Sequence, residues 1–199
     1  MRTLRTPAII LAALIGTGVA MPPASATVVL AVDFDEMAAQ ADRVVVGKVT
    51  SVVARWSADQ SIIETAIDVA VETDLSGASA TPALRIVQPG GEIDGRGYFV
   101  TGFPTFRKGE RVLLFLRAGG LDGFGEPYHR VFGMAQGKFV IFPRVGGGYD
   151  AIQQFPSGFG LASADEQGNV RMGDGARPAV IDLDEALDRI RAVRGEVTP

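Results

Sequence analysis

The chain has no cysteine, one histidine and one tryptophan among its 199 residues. Each shortage removes a class of chemistry. Without thiols there is no cysteine nucleophile, no thiolate zinc site, no disulfide and no lipidated cysteine anchor. A single imidazole cannot build a two- or three-histidine zinc site, and as the base of a catalytic triad it would need a carboxylate to place it. His129 stands in Pro127-Tyr128-His129-Arg130-Val131 at the start of a strand, where a structural or surface role is expected. Basic residues are outnumbered, 19 Lys and Arg against 23 Asp and Glu, for a net charge of −4. The densest basic group, Arg189, Arg191 and Arg194, shares its helix with Asp182, Asp184, Glu185 and Asp188. Phosphate recognition needs a clustered cationic surface, so no nucleic-acid partner is expected.

Nothing selects a catalytic, cofactor or metal site. Asp33, Asp35 and Glu36 read as acids at a helix N-terminus. Asp165-Glu166-Gln167-Gly168-Asn169 lacks the acid pattern of a calcium loop and reads as a hairpin turn. No serine lies in a G-x-S-x-G elbow. Gly90-Gly91 and Gly95-Arg96-Gly97 precede no helix that could receive an anion. No carboxylate pair is singled out for glycoside hydrolysis.

What is present begins at the N-terminus. Met1–Thr6 carries Arg2 and Arg5 and no acid, Pro7–Ala20 is almost wholly apolar, Met21-Pro22-Pro23 breaks the run, and Ala24-Ser25-Ala26 closes it. That order predicts a secretory signal peptide over 1–26 with an A-x-A cleavage site. The apolar run is too short, and too interrupted by Gly16 and Gly18, to read as a membrane span. The expectation is an exported protein, periplasmic or extracellular, whose mature chain starts at Thr27. Residues 27–199 then make one domain, with no internal repeat and no dividing linker.

The 25 glycines and 11 prolines fit short strands joined by tight turns. Asp33–Ala41 predicts a short helix capped by Asp33 or Asp35, with Phe34, Met37, Ala38 and Ala41 on one face. Arg43–Val53 predicts a strand whose Val44-Val45-Val46 run is buried on both faces. Strands follow over Ile62–Val71, Ala83–Gln88 and Arg111–Arg117, with an irregular one near Gly97–Thr101. Tyr128–Gly133 and Lys138–Pro143 predict a hairpin around Ala135-Gln136-Gly137, and Ser163–Met172 a second hairpin turning at Gln167-Gly168-Asn169. Ile181–Val193 predicts an amphipathic helix capped by Asp182 or Asp184. The fold class is mostly β: an OB-like barrel of five to six strands, a short N-terminal helix and a C-terminal amphipathic helix. Closure would remove exposed edges, although a two-sheet sandwich fits the strand count nearly as well.

The segment Phe34…Ala41-Asp42-Arg43-Val44-Val45-Val46-Gly47-Lys48-Val49 resembles the start of the netrin-like domain of tissue inhibitors of metalloproteinases. There a short helix leads through an Ala-Asp pair into a Val-rich first strand. Val69–Gly77, Arg111–Leu116 and Tyr128–Gly137 keep the order of later pieces, so the likeness runs loosely over Thr27–Phe142. The chain also resembles an uncharacterised family of exported bacterial proteins carrying the same blocks: Ala41–Val49, Pro89-Gly90-Gly91, Gly109–Leu116 and Gln136-Gly137-Lys138-Phe139. The resemblance implies an OB-type barrel and a binding function, with protease inhibition as its specific form. In those inhibitors the α-amino group and first carbonyl of an N-terminal cysteine coordinate the target's zinc, and a disulfide pins that cysteine to the barrel. This chain lacks the pin and keeps the position. Cleavage before Thr27 leaves about fifteen residues ahead of Asp42, a similar spacing. An α-amine with a pKa near ~8 has a neutral, metal-binding fraction at pH 7.

The candidate partner-binding residues are therefore Thr27 and Val28 at the mature terminus and Phe103 and Pro104 at the tip of an aromatic loop. Thr27 would direct its amine at a metal, and Val28 or Phe103 would fill a substrate-like pocket. Phe99 and Phe106 are expected in the core. Trp56, beside Arg55, and Tyr98 are left open between core and surface. The expected function is that of a non-enzymatic exported binding module with no cofactor, possessing the character of a metalloprotease inhibitor. Its partner would be an extracytoplasmic protein, a zinc protease in the specific form, or a glycan. The alternative is an accessory or structural envelope protein that binds glycan or another exported protein through the aromatic loop and not the terminus.

Overall fold

The computed structural model describes residues 27–77, 81–165, 167, 169–172 and 177–195. The signal-peptide reading of 1–26 lies outside them. The chain is mostly β. Its elements in order are β1 (Thr27–Leu30), α1 (Phe34–Gln40), β2 (Arg43–Trp56), β3 (Ile63–Asp74), β4 (Ala83–Pro89), β5 (Gly91–Ile93) and β6 (Arg96–Tyr98). There follow β7 (Arg111–Leu121), β8 (Pro127–Val131), β9 (Lys138–Pro143), β10 (Tyr149–Gln153), β11 (Phe159–Ala164), β12 (Val170–Met172), β13 (Val180–Asp182) and α2 (Leu183–Arg194).

The main sheet has the order β13-β10-β9-β7-β2-β3-β4-β8, and β8 also pairs with β7. Five strands, β7-β2-β3-β4-β8, are thus linked in a ring of pairings. All are antiparallel except β4–β8, which is parallel with Ile86 opposite His129. A smaller sheet runs β1-β11-β12, and β5-β6 forms a two-stranded hairpin.

The valine run in β2 is buried on both faces, as its composition implies. Val44 and Val46 pack with Met37, Leu113, Phe115, Phe139 and Ile190 under the two helices. Val45 and Val49 pack with Ile67, Val69, Ile86, Leu114 and Leu116. The β2–β3 register shifts at Val46/Gly47 and again at Val49/Ser51. Such bulges bend and twist a strand pair. Gly47 is required at the first, because a Cβ there would lie 2.5 Å from the Ala70 carbonyl oxygen.

Asp33 caps α1 by accepting from the Glu36 N–H at 2.7 Å, and Asp182 caps α2 by accepting from the Glu185 N–H at 3.0 Å. Arg194 donates to the carbonyls of Ala38 and Ala41, which α1 leaves free at its C-terminus.

The hairpin expected between Tyr128–Gly133 and Lys138–Pro143 does not form. β7 runs four residues past the expected Arg117, and both segments lie end to end along its free edge. Its first half takes β9 (Val112↔Val140, Leu114↔Lys138) and its second half takes β8 (Leu116↔Val131, Leu121↔Pro127). The turn between them is stitched to β7: Phe132 N–H donates to Phe115 O and Phe115 N–H donates to Gly137 O. A Cβ on Gly137 would stand 2.7 Å from Phe115 O, so only glycine lets the turn approach so closely. The hairpin expected within Ser163–Met172 is present as β11–β12. The irregular strand near Gly97–Thr101 is shorter and earlier, as β6 paired with β5.

Candidate functional site

β1 alternates half-buried and exposed residues and pairs in parallel with β11, Thr27↔Phe159 through Leu30↔Ala162. The chain continues in register, with Ala31 N–H donating to Ala162 O at 2.7 Å. Thr27 Oγ1 donates to Thr101 O at 3.1 Å. Gly102 is buried beneath it: a Cβ there would lie 3.0 Å from Thr27 Cγ2 and 2.6 Å from Met134 Cε. The structure thus brings Thr27 against the two residues that precede Phe103-Pro104. Val28 is 41 % exposed.

The loop itself is anchored from below. Phe106 is buried, as expected, and Lys138 Nζ stands 4.7 Å above its ring. Lys138, 1 % exposed, donates to Thr105 O and to Glu110 Oε2 at 2.9 Å. Burial pushes its ammonium pKa below the usual lysine range, and Glu110 opposes that shift. The blocks Gly109–Leu116 and Gln136–Phe139, far apart in sequence, meet in this ion pair.

Two loop residues depart from expectation. Pro104 is buried rather than at a tip, and its carbonyl accepts from Gln88 Nε2 at 2.9 Å. Phe99 is 79 % exposed rather than in the core. Its ring lies over Gly97, where a Cβ would be 2.3 Å from Phe99 Cε2; the hairpin of three-residue strands is too short to cover it. Phe103 is half-buried and separates two grooves of about 370 and 330 Å³ that share Gln88 and Pro89. No charged side chain lines the larger groove, which runs from Val52 and Thr65 to Phe99 and Phe103. Tyr98 and Trp56 are both exposed.

Sequence reasoning missed the residue that ties the β1 segment down. Gln136 Oε1 accepts from Val32 N–H and Gln136 Nε2 donates to Leu30 O, both at 2.9 Å. The available signal was a glutamine amid apolar Phe132, Ala135 and Phe139, where a buried polar group must find partners.

His129 is half-buried, with Nδ1 buried and lacking a hydrogen-bond partner among the described residues. Burial pushes its pKa below 6.5. It borders a cavity of about 590 Å³ with Arg43, Asp68, Arg85 and Glu126. Both guanidiniums there are already paired, Arg43 with Asp74 and Arg85 with Asp68. Asp35 pairs with Arg189, and Asp165 accepts from the Gln167 and Asn169 N–H groups within its turn. Among the described residues no three His, Asp or Glu side chains stand together as a metal site. No helix among them is long and apolar enough to cross a membrane. No protein-family model, curated protein or solved structure matches the chain.

Proposed function

We propose that the protein is an exported, non-enzymatic binding module on an OB-like barrel, and that it inhibits an extracytoplasmic zinc protease through its mature N-terminus. The barrel reading is supported by the ring β7-β2-β3-β4-β8, with one parallel pairing among antiparallel ones. One observation carries the functional reading: Thr27 is hydrogen-bonded to Thr101 and packed on Gly102, beside Phe103. A terminus and a loop remote in sequence thereby form one ridge, in a chain without disulfides.

The chemistry follows from that ridge. Removal of 1–26 would give Thr27 a free α-amine, a nitrogen ligand for a metal with an open coordination position. Pairing with β11 orders the segment before any partner arrives, which lowers the entropy cost of binding. Val28 and Phe103 supply apolar side chains for adjoining pockets, and Phe99 widens the apolar surface. Pro104 serves by shaping the loop from beneath.

The test is inhibition of a panel of zinc endopeptidases by a chain starting at Thr27 and by one extended to Ala26. Inhibition by the first and a loss of about 100-fold or more with the second is the expected result, since the extension removes the amine from its position. Equal potency, or none, would overturn it. The exposed ring of Phe99 favours a second reading, an envelope accessory protein that binds glycan or another exported protein through the loop. Binding that survives the extension and is lost in Phe99→Ala would select that reading.

A further inference from the structure

Gln136 is 1 % exposed, the most buried uncharged polar side chain among the described residues. Its amide spans more than one hundred positions of sequence. Oε1 accepts from Val32 N–H at 2.9 Å, and Nε2 donates to Leu30 O at 2.9 Å and to Gly133 O at 3.3 Å. Behind it stands a second buried glutamine. Gln153 Nε2 donates to the main-chain carbonyl of Gln136 at 2.6 Å, and Gln153 Oε1 accepts from Ala179 N–H at 3.3 Å.

The side of β1 that this amide addresses is informative. Ala31 N–H points toward β11. Leu30 O and Val32 N–H, on the residues flanking Ala31, point the opposite way, as the two-residue period of an extended chain requires. A glutamine amide offers one donor face and one acceptor, the pair a neighbouring strand would present. Gln136 therefore closes the outer edge of the N-terminal segment as a single-residue substitute for a strand. The turn that presents it is strained: Met134 has φ 62°, unusual for a non-glycine residue, and its side chain packs at Gly102 near Thr27.

We propose that Gln136 is the positioning residue of the N-terminal contact segment. Held from behind by Gln153, it fixes Leu30–Val32 and so sets where Thr27 and Val28 sit against Thr101 and Gly102. The role is that of a covalent pin, carried out by hydrogen bonds alone. The clasp itself is independent of the partner's identity; its effect on binding rests on the inhibitor reading.

The test is native-state hydrogen exchange at the Val32 amide, compared with main-sheet amides such as Val45 and Leu114, in the chain starting at Thr27. Gln136→Leu removes donor and acceptor together and is expected to lower Val32 protection about tenfold or more while the unfolding midpoint and the main-sheet amides change far less. Gln136→Glu keeps an acceptor but turns a carboxylate toward the carbonyls of Leu30 and Gly133. Protection should be lost at pH 7 and regained as the acid protonates, because its O–H restores the donor. That recovery is a signature that simple loss of packing would not give. Unchanged Val32 protection, or a loss spread evenly over all amides, would overturn the proposal. If an inhibited protease is found, Gln136→Leu should dissociate from it about tenfold faster. If none is found, the inhibitor reading fails while the exchange experiment still decides the clasp.

Discussion

Two cores share the central strands β2 and β7, and they are built differently. On the helix-covered side, Phe34, Phe115 and Phe139 meet edge to face at 5.2, 5.8 and 5.9 Å, with Met37, Leu183 and Ile190 closing over them. On the other side, Val45, Val49, Ile67, Val69, Leu84, Ile86, Leu114 and Leu116 are all aliphatic, and Phe106 at the rim is the one aromatic member. The first side is closed by helices, which can stand off far enough to seat rings. The second lies against strands β3, β4 and β8, and the space there suits branched aliphatic side chains. The two also differ in charge. The helix-covered cluster is bordered by part-exposed guanidiniums, Arg189 over Phe34 and Arg117 over Phe132, whereas the other is bordered by the buried Lys138 over Phe106 and the half-buried His129 opposite Ile86. The charges taken out of water are therefore on the strand side, and pH and charge changes should act there first.

The sharpest break of this comparison is a pair of size changes at neighbouring positions of β7. Phe115→Ala should cost about 4 kcal/mol of stability, through lost burial and an uncollapsed cavity under the helices. Leu114→Phe, one residue away and facing the strand-enclosed side, should cost about 1–3 kcal/mol by overpacking. Denaturant unfolding measures both. If Leu114→Phe proved neutral, the strand-enclosed core would have room for a ring and the contrast would fail.

Next in size is the buried ion pair. Glu110→Gln leaves the Lys138 ammonium without its counter-charge and should cost about 3 kcal/mol, whereas Glu110→Gln combined with Lys138→Met should recover most of that loss. A double-mutant cycle by chemical denaturation reads this. Simple additivity would show that the two charges do not interact.

The smallest expected effect is in pH dependence, and it sharpens the electrostatic half of the comparison. Burial holds the His129 pKa below its ordinary 6.5, and nearby Arg43 adds to that shift. The unfolded chain thus takes up the proton first. The stabilising contribution is fully present above pH 6.5 and is lost as pH falls through the folded value. Asp74 behaves similarly lower down. Burial raises its pKa, but hydrogen bonds from Ser76 and Arg43 outweigh that and hold it below 3.8, so its contribution is lost as pH falls through that depressed value. Thermal midpoints from pH 8 to 4 should decline below pH 6.5, and His129→Asn should flatten the upper part of the decline. Identical slopes in the two proteins would remove His129 from the account.

Much of the local structure was legible because it depends on local rules. Asp33 and Asp182 are caps because a short acceptor side chain can reach N–H groups that the next turn leaves free. Val44-Val45-Val46 points to a strand buried on both faces because consecutive side chains alternate between faces, so an unbroken valine run leaves neither face polar. The failures have equally physical causes. Pro104 is buried and Phe99 exposed against the expectation from residue type, because composition records what a side chain prefers, while burial depends on which segment covers it. The expected Tyr128–Pro143 hairpin is absent because a turn between two apolar runs does not reveal that a third strand, β7, is long enough to receive both.

The sequence by itself determined the caps, the double burial of β2, the glycine turns and the abundance of strands. It also determined what this protein does without: thiols, clustered cations and paired histidines. Only the tertiary structure decided that Thr27 lies on Thr101 and Gly102, that Gln136 clasps Leu30 and Val32, and that Lys138 meets Glu110. The reason is range. Helix caps and strand periodicity act over a few residues, where spacing is readable. A bond across more than a hundred positions exists only after the sheet has brought both ends to the same place.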